Sequence, residues 1–182
     1  MGLFENIRLK IARSQLRKRA AKSDRKLLYN NFSLVKSIGI VWNASKYTEF
    51  QALARFHQKM QEKKIEVKIL GYYEGKILPD QYTALRYLTC FRKQELSFFF
   101  TPESNDVRSF INNRFDVLID INFEKTFALT YVTALSKASL KTGLFEPEGN
   151  DTPFDLMMEM AKPVNVDNYL TRVIEYLEMI KS

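Results

Sequence analysis

The sequence predicts an α/β protein: a three-layer, Rossmann-like sandwich with a mostly parallel sheet, preceded by a basic N-terminal helix. Three observations predict it. The stretch Phe115–Met160 runs FDVLIDIN, EKTFALTYVTALSKASLKTGL, a polar EPEGNDTP and FDLMMEM, which reads as buried strand, helix with an apolar face, loop and strand. Leu34–Tyr73 repeats strand, helix and strand within about 40 residues, the spacing of a parallel βαβ unit with a right-handed crossover. The third observation is where the charge sits. Met1–Asn30 holds Arg8, Lys10, Arg13, Arg17, Lys18, Arg19, Lys22, Arg25 and Lys26 against Glu5 and Asp24, so this segment alone accounts for the formal charge of +7 and the rest of the chain is neutral. The expected division is a basic helical arm, residues 1–30, and a single α/β domain, residues 31–182.

Each element has a local reason. Met1–Leu28 has no proline, has glycine only at position 2, and is rich in Leu, Ala, Arg and Lys, so a helix is expected until Asn30-Asn31 break it. Leu9, Ala12, Leu16 and Ala20 form a narrow apolar stripe that Ile7 and Ile11 widen. Leu34–Trp42 reads as a strand through Val35, Ile38, Ile40 and Val41, and Asn43-Ala44-Ser45 supplies turn and cap chemistry. Tyr47–Lys64 follows as a helix with Phe50, Leu53, His57 and Met60 on one face. Glu66–Tyr73 returns as a strand. Gln81–Phe91 has two readings, a helix with Leu85 and Leu88 inward or partly extended chain. Leu96–Thr101 (LSFFFT) is expected as a short strand, and Asp106–Asn113 as a short helix opened by Ser104. The apolar run Val117–Ile121 suits a central strand buried on both faces. Phe127–Ser139 is the next helix, Leu140–Phe145 a short strand in which Gly143 suits close packing, and Phe154–Met160 the last strand. Val166–Lys181 closes the chain with Val166, Leu170, Val173, Leu177 and Ile180 at helical spacing.

In mostly parallel sheets ligands sit beyond the carboxyl ends of the strands. That rule makes Asn43, Ser45, Asp120 and Asn122 the candidate pocket residues, although Asn and Ser are also natural caps and turn formers there. Other chemistry is sparse. There is no G-x-G-x-x-G or Walker loop. His57, the single histidine, falls mid-helix on the apolar face, which disfavours serine or cysteine triads. Cys90, the single cysteine, leaves no internal disulfide and no cysteine-built zinc site, and fits a cytoplasmic protein. Asp116 and Asp120 share a strand face but stand at its opposite ends, too far apart for a shared acid/base pair. Glu146, Glu148 and Asp151 form an acidic loop, read as solvated. No cofactor and no metal are expected, and no apolar run approaches the roughly 20 residues that cross a bilayer.

The segments FDVLIDIN, FALTYVTALSKASLKTGLFEP and FDLMMEM, with SIGIVWNASKY near the N-terminus, resemble a Bacteroidota family of small proteins that carry a domain of unknown function. The FDVLIDIN–helix–KTGL pattern is also similar to the first Rossmann-like half of heptosyltransferase-type glycosyltransferases. That second resemblance covers about a quarter of the chain and implies the fold rather than the reaction. The expected function is therefore binding rather than catalysis. Arg13, Arg17, Lys18, Arg19, Lys22, Arg25 and Lys26 would grip an anionic partner, RNA or a ribonucleoprotein. The same charges also suit an anionic membrane surface. RNA is favoured over lipid because the aliphatic stripe is narrow and Phe4 is the only aromatic residue before Tyr29. The bland alternative is a solvated helix that packs one thin stripe on the domain. A small transferase or hydrolase working at the strand ends is the enzymatic alternative.

Overall fold

The structure, a computed structural model, describes residues 3–145 and 152–181. Glu146, Glu148 and Asp151 lie outside the described residues. Among the described residues six strands form one sheet: β1 (Ser37–Asn43), β2 (Glu66–Tyr73), β3 (Leu88–Arg92), β4 (Val117–Asp120), β5 (Leu140–Leu144) and β6 (Leu156–Met158). Their order is β3-β2-β1-β4-β5-β6, and every neighbouring pair is parallel. The chain starts at the centre, moves to one edge, then returns to lay β4 beside β1 and continues to the other edge. The order reverses between β1 and β4, where Val41 pairs with Asp120. Both strands are buried on both faces, which is why they read as near-continuous apolar runs.

The helices are α1 (Leu3–Ala20), α2 (Phe50–Glu62), α3 (Asp80–Thr83), α4 (Asn105–Asn112), α5 (Phe127–Leu135) and α6 (Val166–Met179). On one sheet face, α2 and α6 bury Leu53, Phe56, Met60, Tyr169, Val173 and Leu177 with Ile38, Ile40 and Ile119. On the other, α4 and α5 bury Val107, Phe110, Leu129 and Val132 with Val41, Leu70 and Leu118. These are the three layers. The first helix stands outside them and packs on α5, with Ala12 and Leu16 buried.

Several elements differ from expectation. The first helix ends at Ala20 rather than Leu28, because the chain beyond it finds partners outside the helix. Arg25 pairs with Asp155, and the Leu28 N–H donates to the Ser139 carbonyl. Leu96–Thr101 is a tight turn, not a strand. The Ser97 hydroxyl accepts from the N–H groups of Phe99 and Thr101, and Phe100 takes a left-handed conformation at φ 59°, which no strand allows. Gln81–Phe91 divides between the single turn α3 and β3. The sheet is wholly rather than mostly parallel. Gly143 does serve close packing: a Cβ there would stand 2.3 Å from the Phe154 ring.

Candidate functional site

At the reversal between β1 and β4, the four predicted pocket residues belong to two loops. Asn43 Oδ1 accepts from the Ser45 N–H at 3.2 Å, and Ser45 Oγ accepts from the Glu74 N–H at 3.0 Å, tying this loop to the end of β2. Asn122 clasps the start of α5, accepting from the Thr126 N–H at 2.9 Å and donating to its carbonyl at 3.1 Å. Asp120 is buried and accepts from the Asn122 N–H at 2.7 Å and from the Thr133 hydroxyl. Burial pushes its carboxyl up to about 6, against the pull of those hydrogen bonds. A Lys46–Glu124 ion pair of 2.5 Å links the two loops. Beside it, Trp42 Nε1 donates to Glu49 at 2.9 Å, and burial pushes that carboxyl up to about 7. Asp120 and Asn122 line a small cavity of about 70 Å³ with Phe123, Lys125 and Phe154. Asn43 and Ser45 are on the other side of the reversal and do not join them.

The basic arm divides into cations that hold structure and cations that face solvent. The Arg8 guanidinium lies 4.0 Å from the centre of the Phe98 ring and 4.3 Å from that of Phe100, and donates to the Phe98 carbonyl. Arg19 donates to the Tyr131 hydroxyl, and Arg25 pairs with Asp155. Lys10, Arg13, Lys18, Lys22 and Lys26 are exposed, and Arg17, also exposed, has an interaction of its own. Three large apolar residues of α1 are exposed as well: Phe4 at 83%, Ile7 at 50% and Ile11 at 42%. Phe98, on the turn that Arg8 grips, is 67% exposed. Sequence reasoning grouped Ile7 and Ile11 with the packing stripe, and it missed the contribution of Phe98 because that residue lies 90 positions from Arg8.

A cleft of about 610 Å³ runs between α1 and α5. Arg13, Leu16 and Arg17 line one side, Phe127 and Thr130 the other, and Lys141, Phe154 and Asp155 also face it. Lys141 is 2% exposed, and its Nζ donates to the Ala134 carbonyl at 2.9 Å, near the end of α5. Burial, with Arg25 nearby, pushes its ammonium down to about 8. Sequence reasoning missed Lys141; its signal was a lone lysine inside the apolar segment LKTGL.

The remaining reactive residues have structural surroundings. His57 stacks on Tyr87 with ring centres 3.6 Å apart, and burial lowers its pKa. Burial pushes the Cys90 thiol up to about 12. Asp116 Oδ2 accepts from the N–H groups of Lys36 and Ser37 at the start of β1. Among the described residues no group of three His, Cys, Asp or Glu side chains is placed to hold a metal ion, and no helix is long and apolar enough to cross a membrane.

Fold and site together define a Rossmann-like α/β protein with a cationic helix docked on its outer layer. The chain belongs to a family of unknown function, DUF6913, whose model matches residues 5–180. No curated protein and no solved structure matches it.

Proposed function

We propose that this is a peripheral binding protein whose first helix rests on an anionic lipid surface, with the Ser97–Thr101 turn beside it. The observation that carries this reading is the outward face of α1. Phe4, Ile7 and Ile11 are exposed at helical spacing, and exposed Lys10 and Lys18 flank them. Interfacial helices bury such apolar residues at the headgroup boundary while their cations stay with the phosphates. Phe98 adds an aromatic residue, and Arg8 ties its turn to the helix.

The narrow stripe that favours RNA in the sequence packs against α5, and a second apolar set takes the outside. RNA rewards the same lysines and arginines, but phosphate contacts do not account for the exposed isoleucines. The transferase reading draws little from the strand ends, where Asn43, Ser45, Asp120 and Asn122 serve turns, a helix start and buried hydrogen bonds.

Co-sedimentation of the full chain with vesicles tests the reading. The protein is expected to bind phosphatidylglycerol vesicles and not phosphatidylcholine vesicles. Lys10→Gln with Lys18→Gln is expected to weaken partitioning roughly tenfold or more, at about 1 kcal/mol for each cation near the surface. Ile7→Ser with Ile11→Ser is expected to weaken it as well. Absence of sedimentation with phosphatidylglycerol overturns the proposal. Salt-sensitive binding to structured RNA, indifferent to Ile7 and Ile11, replaces it with the RNA reading.

A further inference from the structure

The cleft between α1 and α5 takes no part in the lipid reading, which concerns the outer face of α1. We propose that this cleft binds a small molecule carrying a phosphate group, with Lys141 inside it and Arg13 at its rim. A lysine ammonium has three donors, and Lys141 gives one to the Ala134 carbonyl. That bond alone would make it a cap for the end of α5. No described carboxylate forms an ion pair with it. Asp155, the acidic residue among those described around the cleft, is engaged by Arg25 and by the backbone N–H of Lys141 at 2.8 Å. A buried cation with two further donors calls for water or an anion.

Charge and shape narrow the choice. Arg17 and Lys125 also face the cleft and have interactions of their own. With Arg13, Arg25 and Lys141 also facing it and Asp155 the acidic residue among its described lining, the cleft is positively charged and suits an anion such as a phosphate group. Leu16, Phe127 and Phe154 give the cleft apolar walls. Apolar walls, a few converging polar groups and about 610 Å³ are the attributes of a small-molecule site. The phosphate would be held by side chains, consistent with the lack of a glycine-rich cradle in the sequence.

Calorimetric titration of the full chain with inorganic pyrophosphate tests this site. Saturable one-to-one binding is expected. Arg13→Gln is expected to weaken it roughly fivefold or more and Lys141→Met roughly tenfold or more. Lys10→Gln with Lys18→Gln should leave it unchanged. Arg13 is exposed, so its variant stays informative even if Lys141→Met fails to fold. Absence of saturable binding, or full binding by Arg13→Gln, overturns the proposal. Glycerol 3-phosphate and dihexanoyl phosphatidate, titrated in parallel, separate the two sources of such a group. Tighter binding of the phosphatidate assigns the site to a lipid headgroup, and equal binding assigns it to a soluble phosphate. Ile7→Ser with Ile11→Ser should lose vesicles and keep pyrophosphate, so the two proposals fail separately.

Discussion

At the carboxyl ends of β1 and β4, Asn43, Ser45, Asp120 and Asn122 each have an internal hydrogen-bond partner. On the outer face of α1, Phe4, Ile7 and Ile11 stand exposed beside Lys10 and Lys18. The first set occupies the place where ligands of open α/β sheets usually bind, yet its polar groups are directed at neighbouring backbone and side chains. The second set does no visible work in the fold. A polar residue in the expected crevice is weak support for a site when its hydrogen bonds are already made. An exposed apolar residue beside cations is stronger support, because stability gives no reason for it. Substitutions at the strand ends should therefore cost stability, and substitutions on the outer helix face should cost binding.

The largest effect is expected at Asp120. Asp120→Ala removes the acceptor for the Thr133 hydroxyl and the Asn122 N–H in a buried site, and should lower unfolding free energy by about 2–4 kcal/mol in a urea titration. A loss below about 0.5 kcal/mol would place Asp120 with the functional set and break the contrast. Asn122→Ala should cost about 1–2 kcal/mol by releasing the Thr126 N–H at the start of α5. Ile7→Ser with Ile11→Ser should stay within about 0.5 kcal/mol of the parent chain while losing vesicle binding. Equal losses of stability at both places would make α1 an ordinary packing helix.

Much of the fold was legible because β1, β4 and α6 carry period and burial in their own residues. Val117–Ile121 is apolar on both sides of the pleat, and Val166, Leu170, Val173 and Leu177 keep the spacing of one helix face. What was not legible depended on distant partners. Nothing in LSFFFT announces that the Ser97 hydroxyl folds it into a turn, or that Arg8 will stack on Phe98. The arm had a good helical composition through Leu28, but Arg25 and Leu28 found better partners at Asp155 and Ser139. The four strand-end residues were located correctly, and their internal bonds could not be read from a list of residue types. Lys141 escaped because its surroundings, the Ala134 carbonyl at the end of α5 with Arg25 and Asp155, lie at distant positions in the sequence.

The smallest effect is optical and bears on the closed character of the strand ends. Trp42 is the only tryptophan, it is fully buried, and its Nε1 donates to Glu49. Burial holds the Glu49 carboxyl up to about 7, well above the usual carboxylate range, while the Trp42 hydrogen bond and Lys46 pull it down. A carboxyl raised by folding keeps its proton longer in the native state than in the unfolded chain. Its contribution to stability is complete below the unfolded value near 4.5 and is lost as pH rises through about 7. Asp120 acts in the same direction, with its loss complete once pH passes about 6. Ionisation of Glu49 changes the charge at the indole N–H, so Trp42 emission in the folded protein should titrate with a midpoint near pH 7. Glu49→Gln should flatten that titration and raise stability at pH 8 relative to the parent chain. A midpoint below pH 5 would mean that water reaches Glu49, and that the end of β1 is open rather than closed by its own side chains.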